Sequence, residues 1–171
     1  MVMQPLIKVA AVAAMVALVV VVVLGGGLAS VPVMLQKKFK QNDTVFTVVE
    51  IDDAVIKLAQ DFLAPKHLNK LIFYCDDAYD YAGVCTEKFD LIAVDIFLDI
   101  STPNKFRSKS FLQNLKKMLN PNGHLIYNTL NLDDVSAALS EDFYKNTFSV
   151  VFPQNKLLRT RGNNMLLFEN K

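Results

Sequence analysis

The chain has 171 residues, 52% of them apolar and 20% charged, with a formal net charge of +1. That is the length of one ordinary domain, and it excludes a disordered or fibrous polypeptide. The near-zero charge, with its few lysine clusters spread over helix faces, argues against a nucleic-acid binder.

The first element is ambiguous by hydropathy alone. Val9 to Ala29 carries no charged or polar side chain and is long enough to span a bilayer. Lys8 before it and Leu28-Ala29-Ser30 after it also mimic a signal peptide. The run is not uniform, however. Pro5 to Val16 mixes Ala and Met with scattered Val, as a buried helix would. Ala17 to Leu24 is a valine block suited to a strand covered on both faces, and Gly25-Gly26-Gly27 ends it abruptly. The reading adopted is a helix within 1–17 and then a central parallel strand. Its rival is a membrane-anchored or exported protein with Val9–Leu24 inserted.

Ser30 is placed to cap the next helix, with Pro32 in its first turn and an apolar face of Val33, Met34, Leu35 and Phe39. Thr44 to Val49 is β-branched and aromatic, hence a strand, and it ends at Glu50. Asp52 or Asp53 starts a helix carrying Ala54, Val55, Leu58, Ala59 and Phe62, and Pro65 stops it. Leu71 to Tyr74 is a third strand leading to Asp76 and Asp77. Phe89 to Val94 is a fourth, ending at Asp95. Ser108 or Ser110 caps a helix through Leu119, and Asn120-Pro121-Asn122-Gly123 is a turn signal before a fifth strand that begins at Leu125 to Tyr127. Asp133 to Phe143 reads as helix. Phe148 to Phe152 and Met165 to Phe168 read as two closing strands around an Arg159–Asn164 loop.

Strand and helix alternate through most of the chain, which predicts βαβ units, a parallel sheet and helices on both faces. One domain, 1–171, is expected: an N-terminal helix over 1–17, a ligand-binding core over 18–130, and a C-terminal helix with closing strands over 131–171. Cys75 and Cys85 lack CxxC spacing and fit a reduced, cytoplasmic protein. His67 and His124 have no companions at ligand spacing, so no metal is expected.

In an open parallel sheet, ligands bind beyond the carboxyl ends of the strands at the switch point. Glu50, Asp76, Asp77 and Asp95 all end strands on the edge that carries the glycine turn. Glu50 lies 23 positions beyond Gly27, near the spacing of an acid that accepts hydrogen bonds from ribose hydroxyls. The turn lacks G-x-G-x-x-G spacing, which disfavours a dinucleotide.

Val22-Val23-Leu24-Gly25-Gly26-Gly27, Val48-Val49-Glu50-Ile51-Asp52, Asp76-Asp77-Ala78 and Phe89-Asp90-Leu91-Ile92-Ala93-Val94-Asp95 together resemble the motif series of spermidine synthases and their methyltransferase-fold relatives. Leu119-Asn120-Pro121-Asn122-Gly123 is similar to the turn before their fifth strand. The resemblance spans roughly residues 18 to 130. It implies an α/β, Rossmann-like methyltransferase fold, with a mostly parallel seven-stranded sheet and an antiparallel C-terminal strand. It also implies a transferase that uses S-adenosylmethionine or its decarboxylated form. Gly25, Gly26 and Gly27 would approach the amino-acid part of that cofactor, and Glu50 would bind the ribose. Ile51 would pack on the adenine, with Asp76, Asp77 and Ala78 around it and Asp77 accepting from the adenine amino group. Asp95 matches the acid that deprotonates an attacking amine, and Asp99 falls near a second substrate-binding acid.

Three features depart from the pattern. Leu28 stands where aminopropyltransferases carry an aspartate, the loop Ile96-Phe97-Leu98-Asp99 is apolar for a polyamine dication, and the region before the first strand is shorter than their N-terminal β domain. Weak or absent spermidine synthase activity is therefore expected for this chain alone. The implied partners are a small-molecule acceptor such as an amine and a second copy of the chain, with neither nucleic acid nor membrane. The alternative reading is a non-catalytic nucleoside-binding relative in a regulatory or scaffolding role.

Overall fold

The valine block is a strand, β1 (Val19–Leu24), at the centre of the computed structural model, which describes residues 19–39, 44–63, 70–98 and 101–171. The other strands are β2 (Thr44–Glu50), β3 (Leu71–Cys75), β4 (Phe89–Val94), β5 (Leu119–Asn131), β6 (Lys156–Arg159) and β7 (Gly162–Glu169). Their order across the sheet is β3-β2-β1-β4-β5-β7-β6. β1 pairs in parallel with β2 on one side and β4 on the other, whereas β7 runs antiparallel to both β5 and β6. The expected helix over 1–17 lies outside the described residues. Among those described, no helix is long and apolar enough to cross a membrane.

Strand alternation sorts the core into two layers. Val21 and Val23 of β1 join Phe46, Val48 and Ile126 beneath α1 (Ser30–Phe39) and the end of α2 (Asp53–Leu63). Val22 and Leu24 join Ile92, Leu125 and Tyr127 beneath α3 (Ala78–Val84), α4 (Lys109–Met118) and α5 (Asp134–Phe143). Full burial of each such side chain is worth about 1.5–3 kcal/mol, which is why an all-valine strand belongs here. β1 is also where the winding reverses, since the crossovers through α1 and α2 move one way and those through α3 and α4 the other. The crevice above β1 and β4 is therefore the switch point.

Several expectations change. Phe148 to Phe152 is helical, with a π-turn over Tyr144–Phe148 running into a single turn at Ser149–Val151. A strand would put Phe148, Val150 and Phe152 on one face, yet both phenylalanines are fully buried and Val150 is 61% exposed. The spacing of four, with ring centroids 4.9 Å apart, is helical. The edge strand is instead β6, and the expected Arg159–Asn164 loop contracts to a tight turn. There the Thr160 N–H and hydroxyl both donate to the Asn163 carbonyl, so Asn163 and Asn164 lie inside β7. Ser30 is the first helical residue, because the Ala29 carbonyl accepts from Val33 N–H. Asn120–Gly123 forms a bulge within β5, since Leu119 faces Phe89 and His124 faces Leu91. α3 was not anticipated; Asp77 caps it by accepting from Tyr79 N–H at 2.8 Å.

One buried bond ties this core to the switch-point crevice. The Tyr127 hydroxyl donates to the Phe106 carbonyl at 2.9 Å, and burial pushes its phenol well above the ordinary range, so it remains a neutral donor. Tyr127→Phe leaves that carbonyl unsatisfied in the core and should cost about 1–3 kcal/mol. A urea titration should show a lower midpoint at unchanged slope, and an unmoved midpoint would mean that the bond contributes nothing.

Candidate functional site

The glycine turn is shaped first by its own chain. Gly25 N–H and Gly26 N–H both donate to the Val49 carbonyl. A Cβ on Gly25 (φ +80°) would stand 2.6 Å from the Asp95 carbonyl oxygen, and one on Gly26 would stand 2.0 Å from Val48 Cγ1. Both glycines are thus required by packing against β2 and the segment after β4. Gly26 turns toward Val48 and away from the crevice. Gly27 differs: its φ is +46° and nothing lies within 4 Å of where a side chain would begin.

Glu50, at the end of β2, holds that turn. Its Oε2 accepts from Gly27 N–H at 2.9 Å, while Oε1 accepts from Ile51 N–H at 2.9 Å and Asp52 N–H at 3.2 Å. A carboxylate has about four acceptor sites, so capacity remains for a ligand. Beside it Ile51 is 66% exposed, an apolar surface at the rim.

Asp77 and Lys105 form the next wall. Asp77 Oδ1 caps α3, and its Oδ2 accepts from Lys105 Nζ in an ion pair. Burial alone would raise the Asp77 carboxyl, but the Lys105 ammonium and the Tyr79 amide outweigh it and hold it below the usual carboxylate value. Asp76 is exposed, donates its N–H to the Glu50 carbonyl and accepts from Asp77 N–H. Lys105 has no periodic signature in the sequence, which is why it was missed.

Asp95 follows β4, and its backbone N–H donates to the Leu24 carbonyl. Its Oδ1 accepts from Asn128 Nδ2 at 2.8 Å. Burial pushes the carboxyl above its ordinary value, and the Asn128 bond offsets part of that. Asn128 was also missed, although a polar residue within Leu125-Ile126-Tyr127-Asn128 was the visible signal.

These groups enclose one cavity of about 520 Å³, within the range of small-molecule sites. Gly25, Gly27, Glu50, Ile51, Asp76, Asp77, Ala78 and Asp95 line it, with Ile96, Phe97, Leu98, Pro103, Lys105 and Phe106 closing the far side. The structure thus gathers every anticipated site residue except Gly26, which faces elsewhere, and Asp99, which lies outside the described residues. Among the described residues no cluster of His, Cys, Asp and Glu could hold a metal.

Comparison with known proteins agrees with this fold. The polyamine aminopropyltransferase of Vibrio vulnificus is 28% identical over 152 residues, covering 84% of this chain and 47% of the relative. The chain therefore spans about half the length of that relative. A probable spermidine synthase from Corynebacterium glutamicum superposes with a TM-score of 0.78 at 22% identity, over 96% of this chain and 61% of that one. Human methyltransferase-like protein 13, solved in complex with SAH, superposes at 0.76 and 22% identity, over 97% and 78% respectively. The family model of the spermine/spermidine synthase domain matches residues 4–169, and with nearly its whole length matched the chain belongs to that family.

Proposed function

We propose that this cavity takes an S-adenosyl-type sulfonium ligand and that the chain transfers an alkyl group from it to a small acceptor. The observation that carries this reading is the convergence of Gly27, Glu50, Ile51 and Asp95 on one switch-point cavity. The SAH held by a structural neighbour and the aminopropyltransferase activity of a sequence relative support the same ligand class.

The residues fit such a ligand. Gly27 leaves open space where a side chain would block approach, Glu50 keeps acceptor capacity for a vicinal diol, and Ile51 offers a flat apolar surface. When bound, the cofactor supplies an electrophilic carbon on a sulfonium sulfur with a neutral thioether as leaving group. The protein's own part is alignment and proton removal. Asp95 is the acid placed for the second task, because it lines the cavity and burial raises its carboxyl above its ordinary value, which makes it a stronger base than an exposed aspartate. Asp77 is already paired with Lys105, so an adenine amino group would share that carboxylate with the ammonium.

The acceptor half has a different character. Ile96, Phe97, Leu98, Pro103 and Phe106 make it apolar, and the cationic Lys105 stands among them. Among the described residues Asp95 is the carboxylate that adjoins this apolar stretch, so a polyamine dication buried there is only partly compensated, which is costly. Putrescine turnover with the decarboxylated cofactor should be weak or absent, while adenosyl-ligand binding is retained. Calorimetry with S-adenosylmethionine, its decarboxylated form and methylthioadenosine tests the first half. Turnover compared between wild type and Asp95→Asn tests the second. If none of the three ligands binds, the reading is lost. Robust putrescine turnover that Asp95→Asn abolishes would overturn the view of the acceptor side.

A further inference from the structure

Asp95 is the first member of a polar row that crosses three strands on one face of the sheet. Asn128 Nδ2 donates to Asp95 Oδ1 at 2.8 Å, and Asn163 Nδ2 donates to Asn128 Oδ1 at 2.9 Å. The register produces the row. Val94 pairs with Tyr127, so Asp95 and Asn128 follow side by side, and Asn163 lies diagonally across from Asn128 on β7. Parity places all three on the face whose core is Val21, Val23, Ala93, Ile126 and Met165. Asn128 and Asn163 are 8% and 9% exposed. Two amides buried at the edge of an apolar layer are costly unless every bond is made.

The chemistry of the three groups sets the direction of the row. An ionised carboxylate only accepts, so Asn128 must turn its NH₂ toward Asp95 and its carbonyl away. That carbonyl then needs a donor, and Asn163 supplies it. With Asn163 in place, the Asn128 amide cannot flip its oxygen onto Asp95 without breaking both bonds. Among the described residues Asn128 is the one side-chain partner of Asp95. The other ionisable groups lining the cavity are Glu50, Asp76, Asp77 and Lys105. Of these, Asp77 and Lys105 pair with each other, Glu50 faces the glycine turn, and Asp76 accepts from its neighbour's amide.

We propose that Asn128 and Asn163 are positioning residues for Asp95: a one-way amide relay that pins Oδ1, holds the carboxylate ready to accept a proton, and leaves Oδ2 as the working oxygen. The proposal rests on Asp95 as the base of the proposed transfer, but the relay itself can be read without any ligand.

The test is a pH titration of the full chain by NMR, following the Asp95 carboxyl carbon, assigned with Asp95→Asn, and the side-chain amides of Asn128 and Asn163. In wild type the Asn128 amide should shift with the same midpoint as Asp95, and the Asn163 amide should follow with smaller amplitude. In Asn128→Leu, and to a lesser degree in Asn163→Ala, Asp95 should titrate at higher pH. Merely structural asparagines would lower the melting temperature and leave the Asp95 midpoint in place. An Asn128 amide that stays flat through the Asp95 titration in wild type overturns the relay, even where a variant fails to fold. Calorimetry with S-adenosylmethionine on the same sample separates the two ideas. Absent binding removes the transferase reading, whereas the titration alone decides the relay.

Discussion

Glu50→Ala should weaken binding of S-adenosylmethionine by about one to two powers of ten, and Glu50→Gln by less. A hydrogen bond to a charged acceptor is worth about 1.5–3 kcal/mol, and each 1.4 kcal/mol is tenfold in affinity. That covers only the direct bond to the ligand. Glu50 also accepts from the Gly27, Ile51 and Asp52 amides, so alanine releases the turn that the ligand would lie against. Both effects act in the same direction. Glutamine keeps one carbonyl oxygen, able to serve either the Gly27 side or the Ile51 side, and its NH₂ opposes the other amide. Calorimetry on the three proteins measures the series, with melting temperature as the control for folding. Equal affinities across it would place the ligand elsewhere in the molecule.

Most of what positions this cavity was legible in the residues, for a physical reason. β1, β2 and β4 are buried on both faces, so their signal is a mostly apolar run, broken only by Thr44 and Thr47 in β2 and Asp90 in β4, each ending at a glycine turn or a carboxylate. The strand ends place the acids, and the ends of β2 at Glu50 and of β4 before Asp95 are the ones the residues mark. Errors cluster where the signal depends on period or on long-range pairing. Phe148 to Phe152 holds enough apolar residues for a strand, and only the exposure of Val150 reveals the helical spacing. Asn163 and Asn164 look like loop, because nothing local tells that Asn128 and Thr129 of β5 wait for them. Lys105 meets Asp77 across 28 positions of chain, a pairing that no window of sequence contains. The cavity-lining carboxylates were therefore visible, whereas the groups that orient them came only with the fold.

The same distinction predicts how the three glycines respond to alanine. Reading the turn as a ligand cradle would make all three alike. The geometry makes Gly26 the most demanding for stability. Its added Cβ would stand 2.0 Å from Val48 Cγ1, and Val48 is a fully buried, β-branched residue of β2 with nowhere to move. Gly26→Ala should cost about 3 kcal/mol or more, the upper end of overpacking. Gly27→Ala meets open space and bears only the positive-φ penalty of about 1–2 kcal/mol. Val48→Ala removes the colliding methyl and should cost about 2 kcal/mol alone. The Gly26→Ala, Val48→Ala double variant should then be markedly more stable than the two single costs predict, because each change accommodates the other. Urea unfolding of the four proteins gives the coupling. If the costs simply add, Gly26 is not wedged against β2, and the turn has a freedom this packing denies it. If they couple, ligand binding should follow stability in Gly26→Ala and recover with the second change. In Gly27→Ala, by contrast, binding should fall while the fold holds, since that position faces the cavity.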